Sequence, residues 1–299
     1  MASTPLPITQ EADLLREGAG AVTWLEGVRR LLTNPTAAVG SILVGFWILI
    51  AIAGPLAAPQ NPYMQHLDAR LTPPSALQWL GTDSLGRDIL SRLLYGARLS
   101  ISGGFAVVAA AVVIGTLAGV TAGFFGGVWD DLVMRVTDMF LAFPSLILAM
   151  AIAAVLHPSL TNALIAVAVT WWPTYARLIR GQTLAVKENQ YVEAACALGM
   201  GKIGIIARHI LPNAFAPVLV QATLDVGAVI LTLAGLSFIG FGAQPPTPEW
   251  GVMVSDGRSF LQTQWWVPTL PALAILSLVL ACNLAGDGLR DLLDPRSER

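Results

Sequence analysis

A lysine after a glycine, Gly201-Lys202, is where a phosphate-binding loop would sit in this chain. That motif needs a glycine five residues before Gly201 and a Ser or Thr after the lysine. Cys196 and Ile203 stand there instead, so the sequence offers no nucleotide site. His66, His157 and His209 lie too far apart for metal-ligand spacing. No nucleophile–base pair is visible. The remaining residue with chemical potential is Asp225, an acid within a long apolar run, Asn213 to Leu236. Counted from Asn213, it lies roughly 18 Å along a helix, a little past the middle of a ~30 Å hydrocarbon core. An aspartate there costs about 2.5–3.5 kcal/mol on insertion scales, so it must face a partner helix or a wet path. Gln221, one turn back, is its best local partner, and Thr223 points to another face.

The elements that would position it are membrane helices. Of 299 residues, 55% are hydrophobic and 12% charged, where soluble domains carry about 25% charged residues. Mean hydropathy is +0.66. A net charge of −2 leaves no basic surplus for nucleic acid, and two cysteines, Cys196 and Cys282, make no disulfide framework. Runs long enough to span are 36–58, 101–124, 139–156, 160–176, 213–236 and 267–284. Residues 36–58 are too long and begin too late for a cleaved leader. An all-α membrane protein of six helices follows, with both termini on one side. Gly115, Gly119 and Gly123 give the second helix a small-residue face for close packing.

With the N-terminus inside, five of the 17 lysines and arginines fall outside: Arg70, Arg87, Arg92, Arg98 and Arg258. The count puts both termini in the cytoplasm, yet four arginines in the first outer loop run against the rule. Residues 1–35 form a cytoplasmic segment. Within it, 22–32 reads as a helix, either flat at the interface or a plain soluble lead-in. Residues 59–100 form an extracytoplasmic loop, and 101–299 a five-helix core. A later outer loop, Gln244-Pro245-Pro246-Thr247-Pro248-Glu249-Trp250, reads as a stiff extended piece with Trp250 at the interface. Near the end, Gly286 and Gly288 are expected to turn the backbone as the last helix leaves lipid.

Between the fourth and fifth runs lies a polar, helix-prone island, residues 187–212. Glu193-Ala194-Ala195-Cys196-Ala197-Leu198 favours a helix, Gly199-Met200-Gly201 ends it, and a second short helix runs through Lys202 to Arg208. Pro212 suits the start of the next membrane helix.

This island resembles the EAA loop of the membrane subunits of bacterial ABC importers. Glu193, Ala194, Ala195, Gly199, Leu211 and Pro212 match at the family spacing, with His209 at the family's isoleucine position. Three further stretches resemble the C-type permease subunits of dipeptide, oligopeptide and nickel importers. They are Gly81-Thr82-Asp83 through Arg87-Asp88 to Ser91-Arg92, the Gln244–Gly251 loop, and Asn283 through Asp287-Gly288-Leu289-Arg290-Asp291 to Arg296. Read without the resemblance, the Gly81 stretch is a solvated, charged loop. The resemblance implies a type I importer permease fold in the bacterial inner membrane. Its EAA loop would dock on an ATPase subunit through the six matched residues. It also implies partners: a homologous B-type permease, two ATPase subunits carrying ATP and Mg, and an extracytoplasmic binding protein. The chain itself would hold no cofactor or metal. Peptide is the expected cargo, with nickel or another small solute the alternative. Asp225 would line the path and meet a cationic substrate end, or be satisfied internally. An intramembrane enzyme, the reading from a different class, would need paired catalytic groups within the spans.

Overall fold

The computed structural model describes residues 35–293. The expected helix at 22–32 and the final Asp294-Pro295-Arg296 lie outside them. The described residues are helical without a strand. The main helices are α1 (Pro35–Ala57), α2 (Ile89–Phe125), α3 (Gly127–Leu141), α4 (Ser145–Leu156) and α5 (Leu160–Lys187). They are followed by α6 (Gln190–Ala197), α7 (Lys202–Ile205), α8 (Leu211–Ala214), α9 (Ala216–Ile239), α10 (Trp250–Gly257) and α11 (Trp266–Leu293).

Four of these, α1, α2, α9 and α11, are long and apolar enough to cross a membrane. A fifth span exists if α3 and α4 count as one crossing, but they meet at 90°. The continuous helix expected over 139–156 is therefore broken. Pro144 has no amide hydrogen to donate and pushes Phe143 out of the helical region, so α3 stops at Leu141. The 12 residues of α4 rise only about 18 Å. Helix α5 has 28 residues but mixes Asn162, Trp171, Trp172, Tyr175 and Arg177 into its apolar positions. Two of its arginines reach α3. Arg180 grips Asp130 with both arms of its guanidinium, at 2.5 and 2.6 Å, and Arg177 holds Asp138 at 2.6 Å.

The most extensive helix pairing is α2 with α5. Its cause is the glycine face of α2. A Cβ on Gly115 would fall 2.5 Å from Tyr175 Cβ, and one on Gly119 would press into the Ala176 carbonyl oxygen. Gly286 and Gly288 play the same part in α11 and do not turn the chain. They sit inside the helix, where a Cβ would strike Leu224 and Ala37, so α11 runs on to Leu293. The Gly288–Ala37 contact also brings the two ends of the described chain together.

Helix α2 starts at Ile89, twelve residues before the apolar run. Asp88 caps it, accepting from the Ser91 amide at 2.8 Å and the Ser91 hydroxyl at 2.7 Å. The Gly81 stretch is not a solvated loop: Thr82, Asp83, Arg87, Asp88 and Arg92 are all buried. Asp83 accepts from Arg87 Nε at 2.6 Å and lies 3.5 Å from Arg92 Nε, while Arg87 Nη2 stands 3.6 Å from Asp256 on α10. In the folded protein, two of the four arginines of this region thus carry charge that Asp83 and Asp256 offset. Trp250 is fully buried, not interfacial; its indole donates to the Leu93 carbonyl at 3.1 Å and packs edge-on against Trp47. Glu249 caps α10 through the Gly251 and Val252 amides at 2.9 and 3.0 Å.

Candidate coupling loop and buried acid

The loop between α5 and α9 is built as a braced knuckle. Helix α6 ends with the Gly199 amide donating to Cys196 O and the Met200 amide donating to Ala195 O. This is a Schellman closure, and Gly199 takes the left-handed conformation it needs at φ +79°. Helix α7 then opens into a wider turn over Ile206–Ile210 with π-type spacing before α8. Val192, Ala195, Ile205 and Ile210 are buried and hold the knuckle to the body.

Two lysines fix its orientation. Lys187 Nζ donates to the Phe124 carbonyl at 2.8 Å and lies 5.6 Å from the centre of the Phe124 ring. Lys202 Nζ lies 5.6 Å over the neighbouring Phe125 ring. The end of α2 is thereby tied to both arms of the loop. Across the knuckle, the Tyr191 and His209 rings stand 6.2 Å apart. His209, at the position where the resembled loop has isoleucine, fills an aromatic contact there.

Of the residues singled out from the sequence, Glu193, Ala194, Gly199 and Pro212 are exposed, Leu211 is half-buried and Ala195 is buried. Sequence reasoning missed Leu198 and Ile203, which are 88% and 81% exposed on either side of the Gly199 turn. Two bare aliphatic side chains thus flank the turn of an otherwise polar knuckle. The available signal was an isolated Leu and Ile flanking Gly-Met-Gly within a polar island.

Asp225 sits on α9, facing α5, and is buried. Gln221 Nε2 donates to its Oδ1 at 3.0 Å, the local partner expected. From α5, Tyr175 and Trp171 approach the same carboxylate. Neither Asp225 Oδ2 nor the Tyr175 hydroxyl completes a hydrogen bond among the described residues. Thr223 turns back to the Leu219 carbonyl, on another face. Tyr175 and Trp171 lie some 50 residues earlier in the chain, beyond the reach of local spacing. Gln221 also borders a cavity of about 500 Å³ between α5, α9 and α11, whose wall includes Leu224 and Arg290.

At the opposite end of the bundle, burial pushes the Asp256 carboxyl above the usual carboxylate range, and Arg87 and Arg92 pull it back only in part. Burial raises Glu249 likewise, against the two amides that it caps.

A bundle of long apolar helices with a braced, apolar-tipped knuckle is the architecture of a membrane protein. The chain belongs to the binding-protein-dependent transport system inner membrane component family, whose model matches residues 111–299. Residues 23–74 match the N-terminal TM domain of oligopeptide transport permease C, so the chain is a C-type permease of the bacterial inner membrane. It is 47% identical over 91% of its length to the dipeptide transport system permease protein DppC of Alkalihalophilus pseudofirmus, covering 90% of that protein. It is 45% identical over 94% of its length to a probable D,D-dipeptide transport system permease protein, DdpC, of Escherichia coli, covering 92% of it. In fold, it resembles a chain of the MetNI methionine ABC transporter in an inward-facing conformation, with TM-score 0.54 and 20% identity. That likeness covers 68% of this chain and 97% of the other.

Proposed function

We propose that the chain forms half of the translocation path of an ATP-driven importer for dipeptides or oligopeptides. The carrying observation is the knuckle: an exposed Leu198–Ile203 tip, closed at Gly199 and braced on Phe124 and Phe125. Of its six matched residues, the exposed Glu193, Ala194, Gly199 and Pro212 face a groove on an ATPase subunit, while Ala195 and Leu211 seat the knuckle on the body. The permease names of the relatives support peptide as cargo.

In this reading α1, α2, the broken α3–α4 pair, α5, α9 and α11 are the six spans. Residues 1–35 and 187–212 are cytoplasmic, as are both termini, and 59–100 face outward. A B-type permease completes the path, two ATPase subunits bind and hydrolyse ATP with Mg, and a binding protein delivers the cargo. Asp225 is reached from the cavity beside Gln221 and meets the cationic end of a passing peptide.

The test is reconstitution of the four-subunit complex in liposomes with its binding protein. ATP-dependent uptake of a labelled dipeptide is expected. Uptake of nickel without peptide would move the complex to the alternative cargo, and failure of ATPase subunits to co-purify would end the coupling assignment.

A further inference from the structure

Three arginines lie near the start of α2, and they are treated differently. Arg87 and Arg92 are buried in the ion cluster, whereas Arg98 is exposed and makes no hydrogen bond or ion pair with any described residue. Arg98 stands at a groove of about 400 Å³ between α1 and α2, whose other walls are almost wholly aliphatic or aromatic. A second cavity of about 480 Å³ shares Ile48 and Phe105 with the first and continues between α1, α2, α9 and α11 as far as Cys282. The two lie side by side along the bundle, sharing the Ile48 and Phe105 wall, and Arg98 is the one cation among the described residues that lines them.

The level of that cation follows from α1. Ile52, which lines the same groove, lies five residues before the end of α1 at Ala57, about 7.5 Å along the axis. A guanidinium on a long stem at this depth reaches the headgroup layer while its methylenes stay on the apolar wall. Arginine presents a planar fork of donors that fits phosphate oxygens in pairs. A partner helix laid here would have to bring its own acidic side chain to meet the guanidinium, whereas a phospholipid carries apolar chain and anion in one molecule.

We infer that this groove holds an anionic phospholipid, its phosphate on Arg98 and an acyl chain between α1 and α2. Basic pockets between membrane helices recognise anionic headgroups on the cytoplasmic side, and Arg98 offers the same chemistry at the outward end of α1 and α2. The site is separate from the knuckle and from Asp225.

The test uses the assembled transporter with its partner permease and ATPases, stripped of lipid in detergent. It is then exposed to phosphatidylglycerol or phosphatidylcholine with the same acyl chains, and bound lipid is read by native mass spectrometry. Wild type should retain phosphatidylglycerol about tenfold better, the size of one charge-assisted contact. Arg98→Gln should erase that preference. Ala109→Trp, which fills the second cavity, should lower retention of both lipids. If Arg98→Gln fails to assemble, Arg98→Lys replaces it and should show a reduced preference, because the ammonium lacks the fork. The inference is overturned if wild type shows no preference, if the Arg98 variant keeps it, or if a cysteine at Ile48 cross-links to the partner permease.

Discussion

The Lys187 ammonium, on the last residue of α5, donates to the carbonyl oxygen of Phe124, one residue before the end of α2, at 2.8 Å. The bond joins the two most extensively packed helices at the point where the chain enters the knuckle. Lys187→Met removes it while leaving the stem that covers the ring. Uptake should fall several-fold as ATP hydrolysis persists, with a stability loss of about 1 kcal/mol. Paired measurements of transport and ATPase rate in liposomes check this; a parallel fall in both would argue against a bracing role.

The knuckle itself makes a stronger prediction. Gly199 sits at φ +79°, which proline cannot reach, so Gly199→Pro must undo the Schellman closure and re-aim Leu198. Glu193→Lys reverses a charge on the exposed side of α6. Both variants should insert and leave uptake near background, with less ATPase subunit recovered by affinity purification. Normal transport by both would sink the docking role.

A pH dependence follows from Asp256. Its folded-state pKa is raised by burial, so its contribution to stability is present at low pH and is lost as pH rises through the folded value. Asp256→Asn does not titrate. Relative to wild type, the variant's melting temperature should therefore climb between acidic and neutral pH. Thermal unfolding of the complex at several pH values measures it, and a constant difference would contradict the assignment.

For Asp225, the isosteric Asp225→Asn keeps a group for Gln221 and removes the charge. The complex should assemble normally. Uptake of peptides with a free α-amino group should drop, and uptake of N-acetylated peptides should change less. Equal rates for both classes, unchanged from wild type, would remove Asp225 from the path.

Orientation can be read with a membrane-impermeant thiol reagent applied from outside. A cysteine replacing the exposed Gln244 should label, while the native, exposed Cys196 should not. The opposite pattern would place the knuckle outside and leave it no ATPase to meet.

What is legible in the sequence is whatever rests on local spacing. The first helix, Pro35–Ala57, lies within a residue of the charge-free run at each end, because that run is long, unbroken and flanked by polar sequence. The knuckle is legible because glycine marks its turn. The glycine face of α2 is legible as a face, though not the identity of its partner. The Gly81 stretch defeats a local reading, since Arg87 finds Asp256, and Arg92 the Pro62 and Pro246 carbonyls, only after distant segments meet. Trp250 is hidden for the same reason: its indole partner, Leu93, is 157 residues away. Pro144 marks the break before α4, but the apolar residues on both sides of it, from Met139 to Leu156, read as one run when hydropathy alone is counted.

The paired guanidinium–carboxylate contacts between α5 and α3 give α3 a mechanical role. They clamp it along the last turns of α5, the same turns that lead into the knuckle. In the proposed coupling, a push on the knuckle that swings the end of α5 carries α3 with it as a crank arm, and the bend before Pro144 serves as the pivot toward α4.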